Sequence, residues 1–153
     1  MKIMTGYNEN NKSVRGFQKS IVNKNIKLSK NVKNIHPIIE NITNNLLDID
    51  VIKYIRISPD FLQASSETTD GRIKTPITKS GHMTAIGVSL IIDFDFKYVQ
   101  FYEMNSVIKG YGGKMVDAVF KSLPEEWQGV IVMDWSGGFW DKMKERYDNL
   151  EII

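Results

Sequence analysis

Strand-like and helix-like segments alternate through the second half of the chain, and this alternation restricts the fold more than any other feature of the sequence. Helical spacing of apolar residues predicts one helix that follows Gly110 and stops before Pro124, and a last helix that follows Gly138. Stretches rich in β-branched and aromatic residues predict strands at residues 83–93, 98–104, 129–134 and in the tail from Leu150. Such alternation is typical of an α/β sheet.

The first half of the chain predicts fewer strands. Residues 1–12 are polar and asparagine-rich, and we expect them to be poorly ordered. Amphipathic helices are predicted over residues 12–25 and from Pro37 to near Asp48, followed by a strand at residues 51–57. Residues 58–81 are polar and too long for an ordinary turn, which indicates either a functional loop or a disordered one. The 153 residues together predict a single domain, with residues 93–97 forming the turn of an antiparallel hairpin.

Composition excludes several kinds of site. The chain contains no cysteine, which excludes disulfides, thiolate metal ligands and a cysteine nucleophile. Only His36 and His82 are present, and neither lies in a spaced ligand motif, so we predict no metal site. No window approaches 18 uninterrupted apolar residues, and the N-terminus lacks the pattern of a secretory signal. We therefore predict a cytoplasmic protein that does not bind membranes.

The net charge of +2 conceals an uneven distribution of charge along the chain. Residues 1–45 hold eight Lys or Arg against Glu9 and Glu40, whereas the remainder is acidic overall. A basic surface of this kind gains from the release of a partner's counterions, so an acidic partner or a nucleic acid is one interpretation. Codon bias and ordinary solvated helix faces are the other interpretation. No interleaved aromatic residues indicate a stacking platform for bases.

The sharpest local motif is the glycine-rich segment Lys109-Gly110-Tyr111-Gly112-Gly113-Lys114, which lies between a predicted strand and a predicted helix. The first backbone amides of a helix have no intrahelical partner, and the helix dipole adds partial positive charge there. The segment therefore indicates an anion site, although glycines in a tight turn are the alternative. It is neither a Walker loop, because no Gly-Lys-Ser/Thr follows, nor a dinucleotide fingerprint, because the glycine spacing differs.

Two segments resemble the GNAT superfamily of N-acetyltransferases. The glycine-rich segment, extended to residues 107–115, is similar to the family's pyrophosphate loop, whose pattern is Gln/Arg-x-x-Gly-x-Gly/Ala. Residues 134–143 are similar to the family's strand five and helix four, which often read Asn-x-x-Ala-x-x-Phe-Tyr-x-Lys. The predicted order of elements also agrees with that fold. The resemblance implies an α/β domain with a GNAT-like mixed, mostly antiparallel sheet flanked by helices.

The resemblance further implies acetyl-CoA as co-substrate, with its pantetheine arm in a V-shaped splay between the family's strands four and five. Its pyrophosphate would lie on the amides of the glycine-rich segment. Asn105 would lie near the strand amides that stabilise the oxyanion. The residues that the resemblance assigns to cofactor binding are Asn105, Val107, Ile108, Lys109, Gly110, Tyr111, Gly112, Gly113 and Lys114. Val107 departs from the family pattern, which has Gln or Arg at that place.

In such enzymes a carboxylate, directly or through water, takes a proton from the substrate amine, which then attacks the thioester. Glu103 is the first candidate for this base because of its place on the strand before the glycine-rich segment, and strand alternation predicts that Tyr102 and Glu103 face opposite sides. Further candidates are Asp93, Asp95 and His82, and a turn role is the alternative for both aspartates.

The family often uses a tyrosine on helix four to protonate the departing thiolate. Trp140 stands at that place here, and an indole N–H does not titrate in the useful range. Tyr147, two helical turns further on, is therefore the candidate acid, and protonation by solvent is the alternative. For Trp127, Trp135 and Trp140 we favour a role in core packing.

These observations leave three functional hypotheses. The first is an acetyl-CoA-dependent N-acetyltransferase that transfers the acetyl group to a primary amine. The second is a catalytically inactive GNAT-fold module that binds or inhibits a macromolecular partner. The third is acetyl transfer to an aminoacyl-tRNA bound through the basic N-terminal third. The oligomeric state stays open, although members of the family often form homodimers.

Overall fold

The computed structural model of the chain describes residues 25–67, 86–134 and 136–153. Within these ranges the chain forms one seven-stranded sheet whose strands lie in the order of the sequence. The elements are β1 (Asn25–Leu28), α1 (Pro37–Leu47), β2 (Tyr54–Ile57), β3 (Phe61–Ser65), β4 (Gly87–Asp93), β5 (Tyr98–Asn105), α2 (Tyr111–Phe120), β6 (Gln128–Ile131), α3 (Phe139–Arg146) and β7 (Leu150–Ile152). The predicted α/β class is confirmed.

The sheet is mixed, and the expectation of a mostly antiparallel sheet is wrong. Strands β2 to β5 pair antiparallel with one another, whereas β1 with β2, β5 with β6, and β6 with β7 pair parallel. Half of the strand pairs are therefore parallel. The reason is that each helix connects two neighbouring strands, and a crossover through a helix returns the chain in the same direction.

Most predicted elements of the second half are confirmed. The pair β4 and β5 is antiparallel, and Asp93 has the predicted turn role, because its Oδ1 accepts a hydrogen bond from the Phe96 amide at 2.8 Å. Helices α2 and α3 begin directly after Gly110 and Gly138, and the tail forms β7. In the first half, α1 ends just before Asp48, and its apolar stripe is buried in the core.

The structure differs from the sequence prediction at two strands. Residues 61–65, predicted as part of a polar loop, form β3, which is hydrogen-bonded to β2 and β4 on its two edges. The strand has two polar residues, of which Ser65 is fully buried and Gln63 donates to the Ser89 hydroxyl at 3.4 Å. The short strand β1 was not predicted at all. The helix predicted over residues 12–25 lies outside the described residues except for Asn25, which begins β1.

The core is one continuous cluster of apolar side chains from the strands and the helices. Trp127 and Trp140 are each 5% exposed, so their predicted role in core packing is confirmed, and Trp135 lies outside the described residues. Helix α1 contacts α2 through a hydrogen bond of 2.8 Å from Asn45 Nδ2 to Ser122 Oγ. Across the described ranges no helix has both the length and the apolar character to span a bilayer.

His36 caps the N-terminus of α1, because its Nδ1 accepts a hydrogen bond from the Ile38 amide at 3.1 Å. Burial lowers the pKa of this imidazole below its ordinary value of 6.5, and the ring lies 4.6 Å from the Phe94 ring. A protonated Nδ1 cannot accept the hydrogen bond, so the cap requires the neutral form.

We expect the His36 cap to make the free energy of unfolding depend on pH. As the pH falls through 6.5, the unfolded chain binds the proton more readily than the native chain, so the contribution of His36 is complete above neutral pH and is lost on acidification. Because His36 is exposed, the loss should be smaller than the roughly 1 kcal/mol that a cap is usually worth. Urea unfolding at pH 8, 6.5 and 5 measures it. His36→Asn, which caps without titrating, should remove this part of the pH dependence, and equal pH profiles for the two proteins would contradict the assignment.

Candidate functional site

Strands β5 and β6 are paired over only part of their length. Their ladder joins Tyr98–Gln100 to Gln128–Val130, and β5 then continues to Asn105 without a ladder to β6. On its other edge the register shifts between Ser89 and Leu90, so that Ser89 pairs with Glu103 and Leu90 with Phe101. Tyr102 is therefore the extra residue of a β-bulge. A bulge bends its strand and increases the twist, which is consistent with β5 diverging from β6 beyond Gln100.

The divergence of the two strands opens a cleft of about 980 Å³. Its walls are the second half of β5, the end of β6, the first turns of α2 and one face of α3. The apolar part of the lining consists of Phe101, Met104, Ile108, Ile131, Val132, Met133, Phe139, Trp140 and Met143. A cleft of this size that is largely apolar with a few polar groups at one end is typical of a small-molecule site.

The N-terminus of α2 forms one end of the cleft. Gly110 is the N-cap residue, with φ +99° and ψ −26°, and no side chain caps the helix. A side chain at Gly110 would be strained at this φ. Gly112 allows close packing, since a Cβ there would lie 3.2 Å from the Phe139 ring and 3.6 Å from Met104. The amides of the first turn, which no side chain caps, therefore lie next to the apolar lining of the cleft.

Charged side chains surround this end of the cleft. Cations come from the glycine-rich segment and from α3, and the anions are Glu103 on β5 and Asp117 on α2. The four cations are Lys109, Lys114, Lys142 and Arg146. The lining is therefore positive overall, and the positive end of the α2 dipole adds to it. An anionic ligand group would gain from both sources of charge.

Most of the residues that the sequence predicted for the site line this cleft. They are Glu103, Asn105, Ile108, Lys109, Gly110, Gly112, Gly113 and Lys114. Val107 and Tyr111 do not line it. Val107 is about half exposed, and the Tyr111 hydroxyl donates to Asp50 at 3.0 Å, a bond that raises the pKa of the phenol. Tyr111 thus joins the start of α2 to the turn after α1.

Both Tyr102 and Glu103 line the cleft, although strand alternation predicted opposite faces for them. The bulge at Tyr102 interrupts the regular alternation of β5, and atoms of both residues border the cleft. Sequence reasoning also missed Asp117, Lys142 and Arg146. Lys142 and Arg146 are four residues apart, a spacing that places them on one face of α3, but the sequence did not indicate that this face borders a cleft.

Tyr147, the candidate acid, is not among the residues that line the cleft. Its hydroxyl donates a short hydrogen bond to Asp117 Oδ1, and its ring stacks on the Phe120 ring at 4.2 Å. Burial and the Asp117 carboxylate raise the pKa of the phenol to about 12. The group is therefore a weak proton donor at neutral pH and is already engaged with Asp117.

If the chain catalyses the acetyl transfer that the resemblance implies, Tyr147→Phe should reduce turnover less than tenfold. The substitution keeps the ring stack and removes one hydrogen bond, so the free energy of unfolding should fall by about 1 kcal/mol. Steady-state kinetics and urea unfolding of the variant measure the two effects. A hundredfold loss of turnover with an unchanged Kd for the co-substrate would instead assign Tyr147 the role of the acid.

In the part of the chain that the structure describes, no three of the His, Asp and Glu side chains come together as metal ligands would. His82 and most of the basic N-terminal third fall outside that part, so the predictions made for them stay predictions. The chain was compared with protein-family models, with curated proteins and with solved structures, and none of the three comparisons found a significant match. The functional argument therefore rests on the geometry and charge of the cleft between β5 and β6.

Proposed function

We propose that this protein is an acetyl-CoA-dependent N-acetyltransferase that transfers an acetyl group to a primary amine by direct attack. The observation that carries the proposal is the cleft between the diverging strands β5 and β6, which ends at the uncapped, lysine-flanked N-terminus of α2. One end of this cleft suits an apolar or amide-bearing chain, and the other suits phosphates. Coenzyme A joins these two chemical parts in one molecule.

The walls of the cleft support the binding of the pantetheine arm. Beyond Gln100, β5 has no ladder with β6, so the diverging strands leave room for a ligand between them. Pantetheine is an extended chain with two amides, and such a chain can pair with the edges of diverging strands as an added strand does. The rings and thioethers of the apolar lining would pack against its methylene groups.

The N-terminus of α2 supports the binding of the diphosphate. Amides of Gly112 and Gly113 lie in the first turn, where no intrahelical acceptor exists, and Gly110 provides no side chain that would compete for them. Lys109 and Lys114 supply charge beside these amides. The backbone amides of a helix N-terminus can bind an anion without a polar side chain. The family's Gln or Arg, which Val107 replaces here, is therefore not required for this binding.

Glu103 is the group that would accept the proton in this reaction. It is exposed in the cleft on β5, two residues before Asn105. Directly or through a water molecule, its carboxylate would take a proton from the substrate ammonium, and the neutral amine would attack the carbonyl carbon of the thioester. A C–N bond forms, the attacking nitrogen releases its second proton to solvent, the C–S bond breaks, and the CoA thiolate leaves and takes a proton from solvent. Backbone amides near Asn105 would stabilise the oxyanion.

Release of free CoA thiol tests this function directly. The chain contains no cysteine, so a thiol reagent such as Ellman's reagent reports only the product. Acetyl-CoA would be offered with panels of primary amines that include peptides with free N-termini, lysine peptides, polyamines and aminoacyl-tRNA. Amine-dependent thiol release would support the proposal. Absence of release with every class of amine would remove the enzymatic part of it.

A binding module without turnover is the second candidate, and one observation favours it. Trp140, which stands at the place of the family's tyrosine acid, is 5% exposed and packs against Phe101. Tyr147, the other candidate, donates its hydroxyl hydrogen bond to Asp117. Acetyl-CoA binding at micromolar Kd without thiol release would favour this candidate. Salt-dependent binding of tRNA or an acidic protein would then identify the class of partner.

A further inference from the structure

Arg146, the last residue of α3, is fixed by a carboxylate on α2. Its Nη1 donates to both oxygens of Asp117, at 2.7 and 2.9 Å. The Tyr147 hydroxyl donates to the same carboxylate, so one acceptor group on α2 holds two consecutive residues at the end of α3. An arginine whose fork is held in this way loses little further side-chain entropy when it binds a ligand.

The Arg146 guanidinium lines the cleft near the N-terminal amides of α2, which form the first position for an anion. Nη1 is 3.8 Å from the place that a Cβ on Gly113 would occupy, and its partner Asp117 follows Gly113 by four residues. The guanidinium therefore lies alongside α2 between Gly113 in its first turn and Asp117 one turn later. Lys142, one turn earlier on α3, lines the cleft beside it.

The guanidinium retains donors for a ligand. It carries five N–H groups in a planar fork, and the two hydrogen bonds to Asp117 both come from Nη1. Planar forks of this kind bind phosphate oxygens in pairs, more specifically than an ammonium group does. The side chain is half exposed, which leaves it accessible from the cleft.

We propose that Arg146 is a specificity-determining residue that binds a second anionic group of the ligand, next to the group held by the α2 amides. The inference rests on the proposed function. In coenzyme A the diphosphate is the first group, and the 3′-phosphate on the ribose is the second. The protein therefore discriminates between CoA and 3′-dephospho-CoA, which differ only in that phosphate.

Isothermal titration of the full chain with CoA and with 3′-dephospho-CoA tests the assignment. We expect the wild-type protein to bind CoA at least tenfold more tightly, which is the scale of one charge-assisted hydrogen-bonded pair. Arg146→Gln should bind the two ligands with equal affinity, and Arg146→Lys should retain part of the preference. Because each ratio is measured within one variant, a general loss of affinity does not imitate the effect.

Lys121→Gln is the matched control. It removes one positive charge at the far end of α2, where the side chain is exposed and lies outside the cleft lining, so the tenfold ratio should persist. Equal binding of both ligands by the wild-type protein would overturn the inference and leave the proposed function standing. A preference that survives Arg146→Gln would overturn the role of Arg146. Failure of the wild-type protein to bind either ligand would overturn the proposed function itself.

Discussion

Replacing Glu103 by glutamine is expected to lower kcat/KM for amine acetylation by about 100-fold, the lower end of the usual contribution of a positioned general base. Glutamine has nearly the same shape as glutamate but cannot take the amine proton. The Kd for acetyl-CoA should stay within a factor of about two, because the carboxylate is proposed to act on the amine and not on the cofactor. Thiol release and isothermal titration measure the two quantities.

Glu125→Gln is the control for the Glu103 substitution. Glu125 is exposed in the connection between α2 and β6 and lies outside the cleft lining. Its replacement by glutamine removes one negative charge, as Glu103→Gln does. Its kinetics should match those of the wild-type protein. If Glu103→Gln turned over as fast as this control, the base would be another group or solvent, and the assignment of Glu103 would be wrong.

Gly129→Ala is expected to destabilise the fold strongly. A Cβ at Gly129 would lie 2.4 Å from Phe120 Cζ and about 3 Å from both Cε atoms of that ring. The ring cannot move aside freely, because it stacks on Tyr147 at 4.2 Å and on Phe101 at 6.0 Å. Backbone shift is equally restricted, since Gly129 pairs with β5 and β7 on its two sides.

The expected cost of Gly129→Ala is about 3 kcal/mol, as for other overpacked core sites. Urea unfolding measures it as a lower midpoint with an unchanged m-value. Gly113→Ala is the matched control, because its Cβ would lie at an ordinary contact distance of 3.8 Å from Arg146 in a helix, where alanine is favoured. A Gly129→Ala variant as stable as that control would contradict the packing described for Phe120. Trimming the ring in Gly129→Ala/Phe120→Leu should recover part of the loss.

Apolar periodicity predicted the three described helices because each buries one stripe against the sheet, as α1 does with the isoleucines that precede Leu46. The strand β3 could not be predicted in this way. Its central residue Gln63 is polar and half-buried, and the strand is stabilised by hydrogen bonds to β2 across a short turn and to β4, which is distant in sequence. Local composition does not report such pairing. The same reason explains why the parallel pairing of β1 with β2 was missed.

The glycine-rich segment was predictable as part of the site because its function depends on local backbone properties. A positive φ at Gly110 and close packing at Gly112 are features that glycine permits and that its position before a helix indicates. Arg146 and Asp117 were not predictable. They lie 29 residues apart, and only the packing of α3 against α2 brings them together at the cleft. The bulge at Tyr102 likewise depends on the register with β4 and not on the sequence of β5 alone.

Isothermal titration of the purified protein with acetyl-CoA is the most direct test of the account, once mass spectrometry has excluded CoA retained from expression. The cleft and its cationic end predict one site per chain with a Kd in the micromolar range. At 100 times that Kd, acetyl-CoA should stabilise the fold by about 2.7 kcal/mol, which a thermal shift reports independently. Absence of heat and of any thermal shift at millimolar acetyl-CoA would contradict the proposal that this cleft binds the cofactor.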